Sequence, residues 1–175
     1  MHMAYTKNKV DDITVFEVPR FNDNRGSFTE LFNENKIDYG INFVQDNFST
    51  SHKNVLRGLH LQKNNPQGKL VTCVCGSVLD IVVDVRPTSP TFSKIYKFEL
   101  KENKQIYIPA GFAHGFLSLE DNSCVYYKCT APYDPDSEIT ISPFDAALDI
   151  DWGINIKDCI VSEKDKNGIS IKDLL

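Results

Sequence analysis

The stretch from Arg57 to Gln62 (RGLHLQ), followed shortly by Lys69, brings a guanidinium, an imidazole, an amide and an ammonium group into one short span. Leucines alternate with His60 and Gln62, and a β-strand sends successive side chains to opposite faces. One face is therefore apolar and the other is polar. Because unpaired polar groups are costly to bury, an inward polar face in a small β protein indicates a lined cavity. The stretch predicts one wall of a ligand site.

His60 is the leading candidate for a general base. An imidazole with a pKa of ~6.5 can both take and give a proton at neutral pH. The neighbouring Arg57 and Gln62, with Lys69 downstream, favour this role over that of a structural hydrogen-bonding residue. His114 lies between glycines near the predicted start of another strand. It fits a site wall or a ligand contact as well as a purely structural role.

An acid that faces the base is the second group to find. Tyr126 and Tyr127 are adjacent, so on a strand one ring should face the cavity and the other the core or an interface. A tyrosine across a cavity from a base can act as an acid. By pattern alone, Asp165 is a charged surface residue and Arg25 is an ordinary turn arginine.

Short strands must position these groups. The predicted strands are Ile13–Val18, Ser27–Phe32, Phe43–Ser49, Val55–Gln62, Lys69–Cys75, Val78–Val85, Ile95–Leu100, Gln105–Ile108, Ala113–Leu119 and Val125–Cys129. Many short strands separated by Pro, Gly and Asn predict a sandwich or barrel. A jelly-roll double sheet with an open mouth fits this pattern and leaves room for a cavity. Helices should be few, with single turns at Asp145–Leu148 and Ser162–Lys166.

A metal site is the main alternative for the polar wall. Metal-binding jelly rolls often use a His-x-His pair, whereas the second position here is Gln62. Sites for zinc, iron and similar ions mostly require three or more firm ligands. Of the four histidines, His2 and His52 are expected to be exposed. We therefore expect no metal and no cofactor.

The composition sets the wider bounds. The 175 residues suit a single domain, 1–175, and the net charge of −5 argues against nucleic acid, which favours a basic face. No apolar run approaches the ~20 residues that span a bilayer. The first residues lack the apolar region of a signal peptide. Five cysteines, an odd number, predict reduced thiols in the cytoplasm, with Cys73 and Cys75 as small core residues.

Seven blocks of sequence carry a family resemblance when they are taken together and in order. They are FVQDN (43–47), NVLRGLHLQ (54–62), QGKL (67–70), DVR (84–86), SPTF (89–92), IPAGFAHGF (108–116) and VYYK (125–128). From about Ile13 to Asp165 the chain closely resembles the dTDP-4-dehydrorhamnose 3,5-epimerase family. The resemblance implies a mainly β, metal-free, cupin-type jelly roll (a double-stranded β-helix) with a few short helices. It also implies a homodimer that exchanges an N-terminal arm, here about residues 4–33.

The resemblance implies roles at matching positions. His60 matches the family's general base, Asp165 the carboxylate that orients it, Tyr127 the acid on the other face of the sugar, and Lys69 the lysine beside the keto oxygen. Arg57 and His114 match positions that contact the substrate, and Gln45 and Asn47 match residues around the nucleotide. Arg25, Phe28 and Glu30 match the arm that reaches into the partner's site, and Tyr133 matches an aromatic residue near the nucleotide end.

The implied substrate is a nucleotide-diphosphate 4-keto-6-deoxy sugar, used in deoxysugar and surface polysaccharide biosynthesis such as O-antigen or capsule. A proton next to a ketone is acidic because its loss gives an enolate, and epimerisation needs a base and an acid on opposite faces. An ammonium group beside the enolate oxygen would stabilise its charge. Bidentate arginine suits the diphosphate.

Other functions stay open at this point. The segment DIDWGI (149–154) lacks the proline-containing stretch that is usual there, and few residues follow Asp165. The chain could invert carbon 3 or carbon 5 alone, on a GDP- or CDP-linked deoxysugar or deoxyheptose. It could also be a non-catalytic sugar-nucleotide-binding cupin, a 3,4-ketoisomerase or a metal oxygenase.

Overall fold

The computed structural model describes residues 5–37 and 40–174. Residues 1–4, 38–39 and 175 lie outside the described residues, and the expectation that His2 is exposed falls there. The strands are Thr6–Val10 (β1), Ile13–Glu17 (β2), Arg20–Asp23 (β3), Gly26–Thr29 (β4), Gln45–Ser51 (β5), Val55–Gln62 (β6), Lys69–Cys75 (β7), Ser77–Asp84 (β8), Ile95–Lys101 (β9), Lys104–Ile108 (β10), Phe112–Ser118 (β11), Ser123–Cys129 (β12), Glu138–Thr140 (β13) and Ile160–Val161 (β14). The helical segments are Glu163–Lys166 (α1) and the 3₁₀ helices Ile156–Asp158 and Ile171–Leu174.

Two mainly antiparallel sheets form the body of the structure. The first has the strand order β1-β2-β10-β7-β12-β5. The second has the order β13-β6-β11-β8-β9, with β14 added parallel to β6. From β5 to β12 the chain passes repeatedly between the sheets, as it does in a double-sheet jelly roll. The predicted mainly β class and low helical content are confirmed.

The second sheet is covered by apolar side chains on both of its faces. Val71 and Phe116 belong to the core between the sheets. Leu59, Trp152 and Ile171 belong to a second cluster that the C-terminal segment forms against the sheet. Because both faces are covered, β8 and β11 are almost entirely buried. This explains why apolar and polar residues do not alternate regularly in the sequence of β8. The same segment brings α1 against β6.

The strands β6 and β11 approach each other closely at two glycines. A Cβ atom on Gly58 would lie 2.5 Å from the Cα of Gly115 and 2.7 Å from the carbonyl oxygen of His114, and the φ angle of Gly58 is +118°. Only glycine meets both conditions without strain. The approach is part of a register in which His114 lies opposite His60. Two imidazoles of the predicted site are therefore neighbours on adjacent strands.

The N-terminal strands form two separate pairs. The strands β1 and β2 extend the first sheet, where β2 pairs with β10. In the described chain, β3 and β4 pair only with each other. Their hairpin carries Phe21 and Phe28, which lie opposite each other and are both exposed. A two-stranded hairpin is only marginally stable by itself, so this is the part of the predicted arm that most needs a further partner.

Several predicted details are wrong. The sequence predicts a strand at Ser27–Phe32, but β4 ends at Thr29. Four further strands are not predicted at all, because they are short or exposed and have no buried face: β1, β3, β13 and β14. Residues 145–148 form a hydrogen-bonded turn rather than a helix. Cys73 is buried, whereas Cys75 at the end of β7 is exposed and is not a core residue. Every helix among the described residues falls short of what crossing a lipid bilayer requires.

Candidate active site

A cavity of about 540 Å³ opens between the two sheets and the segment that holds α1. The residues predicted for the site that line it are Arg57, His60, Lys69, His114, Tyr127, Tyr133 and Asp165. His60 belongs to the second sheet and Tyr127 to the first. The predicted base and the predicted acid therefore come from facing walls of one cavity.

His60 and Asp165 form a hydrogen-bonded pair. The Nε2 atom of His60 lies 2.7 Å from Oδ1 of Asp165, whose other carboxylate oxygen accepts from the backbone N–H of Gly58 at 3.1 Å. Asp165 is held in α1, where the hydroxyl of Ser162 caps the helix by accepting from the N–H of Asp165. Because the carboxylate occupies Nε2, the Nδ1 atom of His60 remains for another partner.

The environment of Asp165 keeps its carboxyl group ionised. Burial by itself raises the pKa of this group, but three interactions outweigh it: the hydrogen bond and charge interaction with His60, the hydrogen bond from the N–H of Gly58, and a side-chain hydrogen bond with the Ser162 hydroxyl. The pKa of Asp165 is therefore lowered below its ordinary value. A carboxylate that stays charged at neutral pH can orient an imidazole and stabilise it when it gains a proton.

A second histidine–carboxylate pair lies next to the first. The Nε2 atom of His114 is 2.8 Å from Oδ2 of Asp80, and Asp80 is fully buried on β8. Burial raises the pKa of Asp80, opposed by the nearby His114 and Lys69. Asp80 is not among the residues predicted for the site from the sequence. A carboxylate inside an otherwise apolar strand was the signal that could have identified it.

Tyr127 and Tyr126 point to opposite sides of β12, as predicted. Tyr127 lines the cavity and packs against the core between the sheets. The hydroxyl of Tyr126 instead donates to the Asp46 carboxylate at 3.1 Å on the outer face. Burial raises the pKa of Tyr127. Its phenol therefore keeps its proton at neutral pH, as an acid must.

Two cations face the cavity from different strands. Lys69 begins β7, and burial lowers the pKa of its ammonium group more than the nearby acidic side chains of Cys129, Asp80 and Glu138 raise it. Arg57 on β6 reaches toward β5, donating from Nε to Ser51 Oγ at 3.1 Å and from a terminal nitrogen to the carbonyl of Thr50 at 3.4 Å. The cavity thus carries local positive charge in a chain whose net charge is negative.

The rim contains a charged group that the sequence analysis misses. Glu138 on β13 accepts from the hydroxyl of Tyr133 at 2.7 Å and forms an ion pair with Lys164 of α1. Burial raises the pKa of Glu138, but these two partners and the charge of His60 lower it overall. No local pattern links β13 to α1, so only the fold brings this pair to the cavity.

Two predicted nucleotide contacts lie beside the cavity rather than in its lining. Gln45 and Asn47 project from the same face of β5, and Gln45 Nε2 donates to Asn47 Oδ1 at 3.0 Å. Gln45 Oε1 accepts from the N–H of Tyr133 at 2.7 Å. The interpretation of Gln62 as part of the polar wall is wrong. Gln62 is buried, and its amide bonds to the segment around Tyr133 instead.

The residues of the predicted arm do not line this cavity within one chain. Arg25 is exposed on the β3–β4 hairpin and pairs with Asp23. Phe28 is exposed on the same hairpin. Glu30 pairs with Lys36. Their predicted place in a partner's site stays a prediction.

The donor set of the cavity is that of acid–base chemistry. Within residues 5–37 and 40–174, no group of three or more His, Cys, Asp or Glu side chains is placed to hold a metal ion. His52 is exposed, as predicted.

Comparison with known proteins identifies the family. A family model described as dTDP-4-dehydrorhamnose 3,5-epimerase matches residues 7–173. The chain belongs to the dTDP-4-dehydrorhamnose 3,5-epimerase family. The enzyme of that name from Salmonella typhimurium (strain LT2) is 46% identical over 157 residues, which cover 86% of this chain and 86% of the relative.

Solved structures of family members share the fold. The dTDP-6-deoxy-D-glucose-3,5-epimerase of Legionella pneumophila Philadelphia 1, in complex with dTDP-4-keto-L-rhamnose, has a TM-score of 0.90 at 39% identity, and the match covers 99% of this chain and 97% of that chain. A 3'-monoepimerase from Streptomyces bikiniensis, in complex with dTDP-quinovose, has a TM-score of 0.86 at 31% identity, covering 94% and 86%. The family resemblance and the cupin-like jelly roll are confirmed, and the dTDP-4-dehydrorhamnose 3,5-epimerase family places the chain among the isomerases.

Proposed function

We propose that the chain inverts carbons 3 and 5 of a dTDP-linked 4-keto-6-deoxy sugar. The observation that carries this proposal is the placement of the His60–Asp165 pair and Tyr127 on facing walls of one cavity. An epimerase removes a proton from one face of the sugar and delivers a proton to the other. Groups on facing sheets do both without turning the sugar over.

His60 is the proposed base. A hydrogen on carbon 3 or carbon 5 is acidic because each carbon adjoins the carbon-4 ketone, and its loss leaves an enolate. The imidazole takes that proton at Nδ1 and becomes imidazolium, while Asp165 holds Nε2 and stabilises the positive charge. The lowered pKa of Asp165 keeps the carboxylate ionised throughout.

Lys69 is the proposed partner of the enolate oxygen. Its ammonium group lies in a site where burial lowers its pKa, so it gains from any anion placed beside it. Such a charge stabilises a developing oxyanion more strongly than it would in water. Lys69 therefore supports the formation of the enolate rather than the binding of the neutral ketone.

Tyr127 is the proposed acid. Its phenol gives a proton to the carbon from the face opposite His60, and the enolate returns to the ketone with inverted configuration. Solvent then reprotonates the phenolate and removes the proton from the imidazolium. The raised pKa of Tyr127 suits this cycle, since the phenol regains its proton at neutral pH.

The other predicted residues in and beside the cavity are proposed to bind the substrate, most of them at its nucleotide diphosphate. Arg57 is fixed toward β5 by Ser51 and offers a guanidinium to phosphate oxygens. Tyr133 lies at the cavity rim with its ring partly exposed, where a base can stack on it. Gln45 and Asn47 support this end, and His114 contacts the sugar.

The proposed assembly is a homodimer with a shared site. The β3–β4 hairpin would insert Arg25 and Phe28 beside the partner's cavity and bury the exposed phenylalanines. Because β2 pairs with β10 of its own chain, we limit this proposal to the hairpin and the following Glu30. The free thiols of the described cysteines support a reducing compartment, which we propose to be the cytoplasm.

A single-carbon epimerase is the second candidate. It is favoured by the 31% identity to a 3'-monoepimerase that shares the fold. The substrate test is to incubate the purified chain with dTDP-, GDP- and CDP-linked 4-keto-6-deoxy sugars in D₂O and to record proton NMR spectra. Preferential turnover of the dTDP sugar, with loss of both the carbon-3 and the carbon-5 proton signals, is expected. Turnover of the GDP or CDP sugar alone would contradict the proposed substrate, and loss of one signal would favour the second candidate.

A further inference from the structure

The side-chain amide of Gln62 is bonded to both sides of Tyr133. Its Oε1 atom accepts from the N–H of Asp134 at 3.0 Å, and its Nε2 atom donates to the carbonyl of Pro132 at 3.2 Å. A further bond runs from Nε2 to the carbonyl of Asn65 at 3.0 Å. Gln62 is only 5% exposed. A buried amide with these partners fixes the residues before and after Tyr133.

The segment 131–134, which we call the Tyr133 loop, has other polar anchors. Gln45 Oε1 accepts from the N–H of Tyr133 at 2.7 Å, and Gln67 Nε2 donates to the carbonyl of Ala131 at 2.9 Å. Loops carry few internal backbone hydrogen bonds, so side chains from neighbouring strands decide their position. Of the three glutamines, Gln62 is the one that brackets Tyr133.

We propose that Gln62 is a positioning residue that holds the aromatic ring of Tyr133 over the cavity and thereby sets the affinity for the nucleotide. The inference rests on the proposed function, because it takes Tyr133 as a nucleotide contact. Gln62 stands two residues after His60 on β6, so one strand supplies the proposed base and fixes the opposite end of the substrate. An amide at this position donates and accepts at once, which the loop requires on its two sides.

The ring of Tyr133 depends on its backbone for its place. Tyr133 is exposed. Within the described residues, its side chain makes a polar contact through its hydroxyl, which donates to the Glu138 carboxylate at 2.7 Å. Loss of the Gln62 amide leaves the Asp134 N–H and the Pro132 carbonyl without their partner. The loop then shifts to satisfy these groups elsewhere. The ring moves with it, while His60 stays bonded to Asp165.

The test compares Gln62→Leu and the near-isosteric Gln62→Glu with the wild-type chain. Both variants remove the donor to the Pro132 carbonyl. We expect KM for the dTDP-linked 4-keto sugar and the calorimetric Kd for dTDP to rise about tenfold, as the loss of buried hydrogen bonds implies, with kcat within about threefold of wild type. Ser118→Ala serves as the matched control, since it removes another buried hydrogen bond, to the carbonyl of Glu120, and should leave Kd unchanged. Thermal unfolding checks that each variant is folded.

A double-mutant cycle with Tyr133→Ala separates positioning from general loosening. If Gln62 acts through the ring, Gln62→Leu changes Kd by less than about twofold once Tyr133 is alanine. An undiminished effect in that background, an unchanged Kd in both folded Gln62 variants, or a fall in kcat at constant KM would overturn the inference. A wild-type chain that binds neither dTDP nor the sugar would overturn the proposed function together with it. Equal binding by wild type and variants would count against Gln62 alone.

Discussion

Nε2 of His60 lies 2.7 Å from Oδ1 of Asp165, although the two residues are 105 positions apart in the sequence. The contact exists because the C-terminal segment folds over the second sheet and lays α1 against β6. Covering that sheet buries apolar surface and completes the proposed base in the same step. The segment that covers the sheet therefore also supplies Asp165, the carboxylate that orients the proposed base.

Replacement of Asp165 tests whether its charge contributes both to activity and to the stability of the fold. Asp165→Asn keeps the shape but removes the charge that fixes the imidazole, so we expect kcat to fall by about 10²- to 10⁴-fold. The pKa of Asp165 is lower in the folded chain than its ordinary value of 3.8 in the unfolded chain. Its charge therefore stabilises the fold fully at pH values above the unfolded pKa. This stabilisation is lost as the pH falls through the lowered pKa of the folded state. Urea unfolding should show wild type more stable than Asp165→Asn at pH 7, and the difference should narrow below pH ~3.8. A difference that is independent of pH would contradict the assignment.

Much of the fold was predictable from alternation and turn residues. The predicted bounds of β6 and β7 agree with the structure, because each strand is bounded by clear breakers and carries a strong apolar pattern. The pattern is weaker where a strand is short and exposed, as in β1 and β14. Such strands form because a neighbouring edge offers hydrogen bonds, and that edge is not visible in the local sequence.

Tyr127→Phe tests the proposed acid. We expect His60 still to exchange a substrate proton with solvent, while completed inversion falls by about 10²- to 10⁴-fold because phenylalanine has no proton to return. The ratio of deuterium exchange to product formation, followed by NMR in D₂O, measures this separation. Tyr126→Phe is the matched control, since its hydroxyl bonds to Asp46 outside the cavity. Equal loss of exchange and inversion in Tyr127→Phe would count against its role.

Lys69→Arg tests the charge beside the enolate oxygen. Burial lowers the pKa of Lys69, so its ammonium form is lost at a lower pH than that of a free lysine. If this loss limits activity in alkaline solution, arginine, which keeps its charge to above pH ~12, should move the alkaline limb of the kcat/KM profile upward. The maximum rate of the variant is expected to be lower because a guanidinium differs in shape. An alkaline limb that stays in place would show that another group titrates there.

The shared site can be tested by mixing two impaired chains. His60→Ala lacks the base, and Arg25→Ala lacks the guanidinium that the hairpin is proposed to insert into the partner's cavity. A heterodimer of the two contains one site with both residues intact. Random mixing makes about half of all dimers heterodimers, and one of the two sites in each heterodimer is intact. Activity should therefore recover on mixing to about one quarter of the wild-type value. Phe28→Asp should weaken the dimer in light scattering by placing a charge in the interface. Failure to recover activity in a confirmed heterodimer, or full activity in a monomer, would rule out the exchange.

The candidate site was predictable only in part. His60, Arg57 and Lys69 stand close together in the sequence, and their types suffice to suggest a cavity wall. Asp165 came from the family resemblance, because no spacing rule connects residues 105 positions apart. Gln62 follows the same alternation as His60, yet its amide faces a loop rather than the cavity. The alternation of polar and apolar residues predicts which face of a strand a side chain occupies. Only the fold determines which segment packs against that side chain.

The rest of the site depends on contacts between distant elements. Asp80 meets His114 through the pairing of β8 with β11. Glu138 meets Lys164 because β13 and α1 both lie against β6. Charged residues in short edge strands and single-turn helices look like surface residues in the sequence. Burial by the surrounding chain gives them their roles.

The central claim is that His60 removes a proton from a carbon beside the ketone, and solvent deuterium measures this directly. The wild-type chain and His60→Ala are incubated with dTDP-4-keto-6-deoxyglucose in D₂O, and the deuterium gained at carbons 3 and 5 is read by NMR and mass spectrometry. We predict one deuteron at each carbon with the wild type, and a rate at least about 10²-fold lower with His60→Ala, which should bind dTDP as the wild type does. Deuterium uptake at the wild-type rate in His60→Ala, or none in the wild type, would contradict the account.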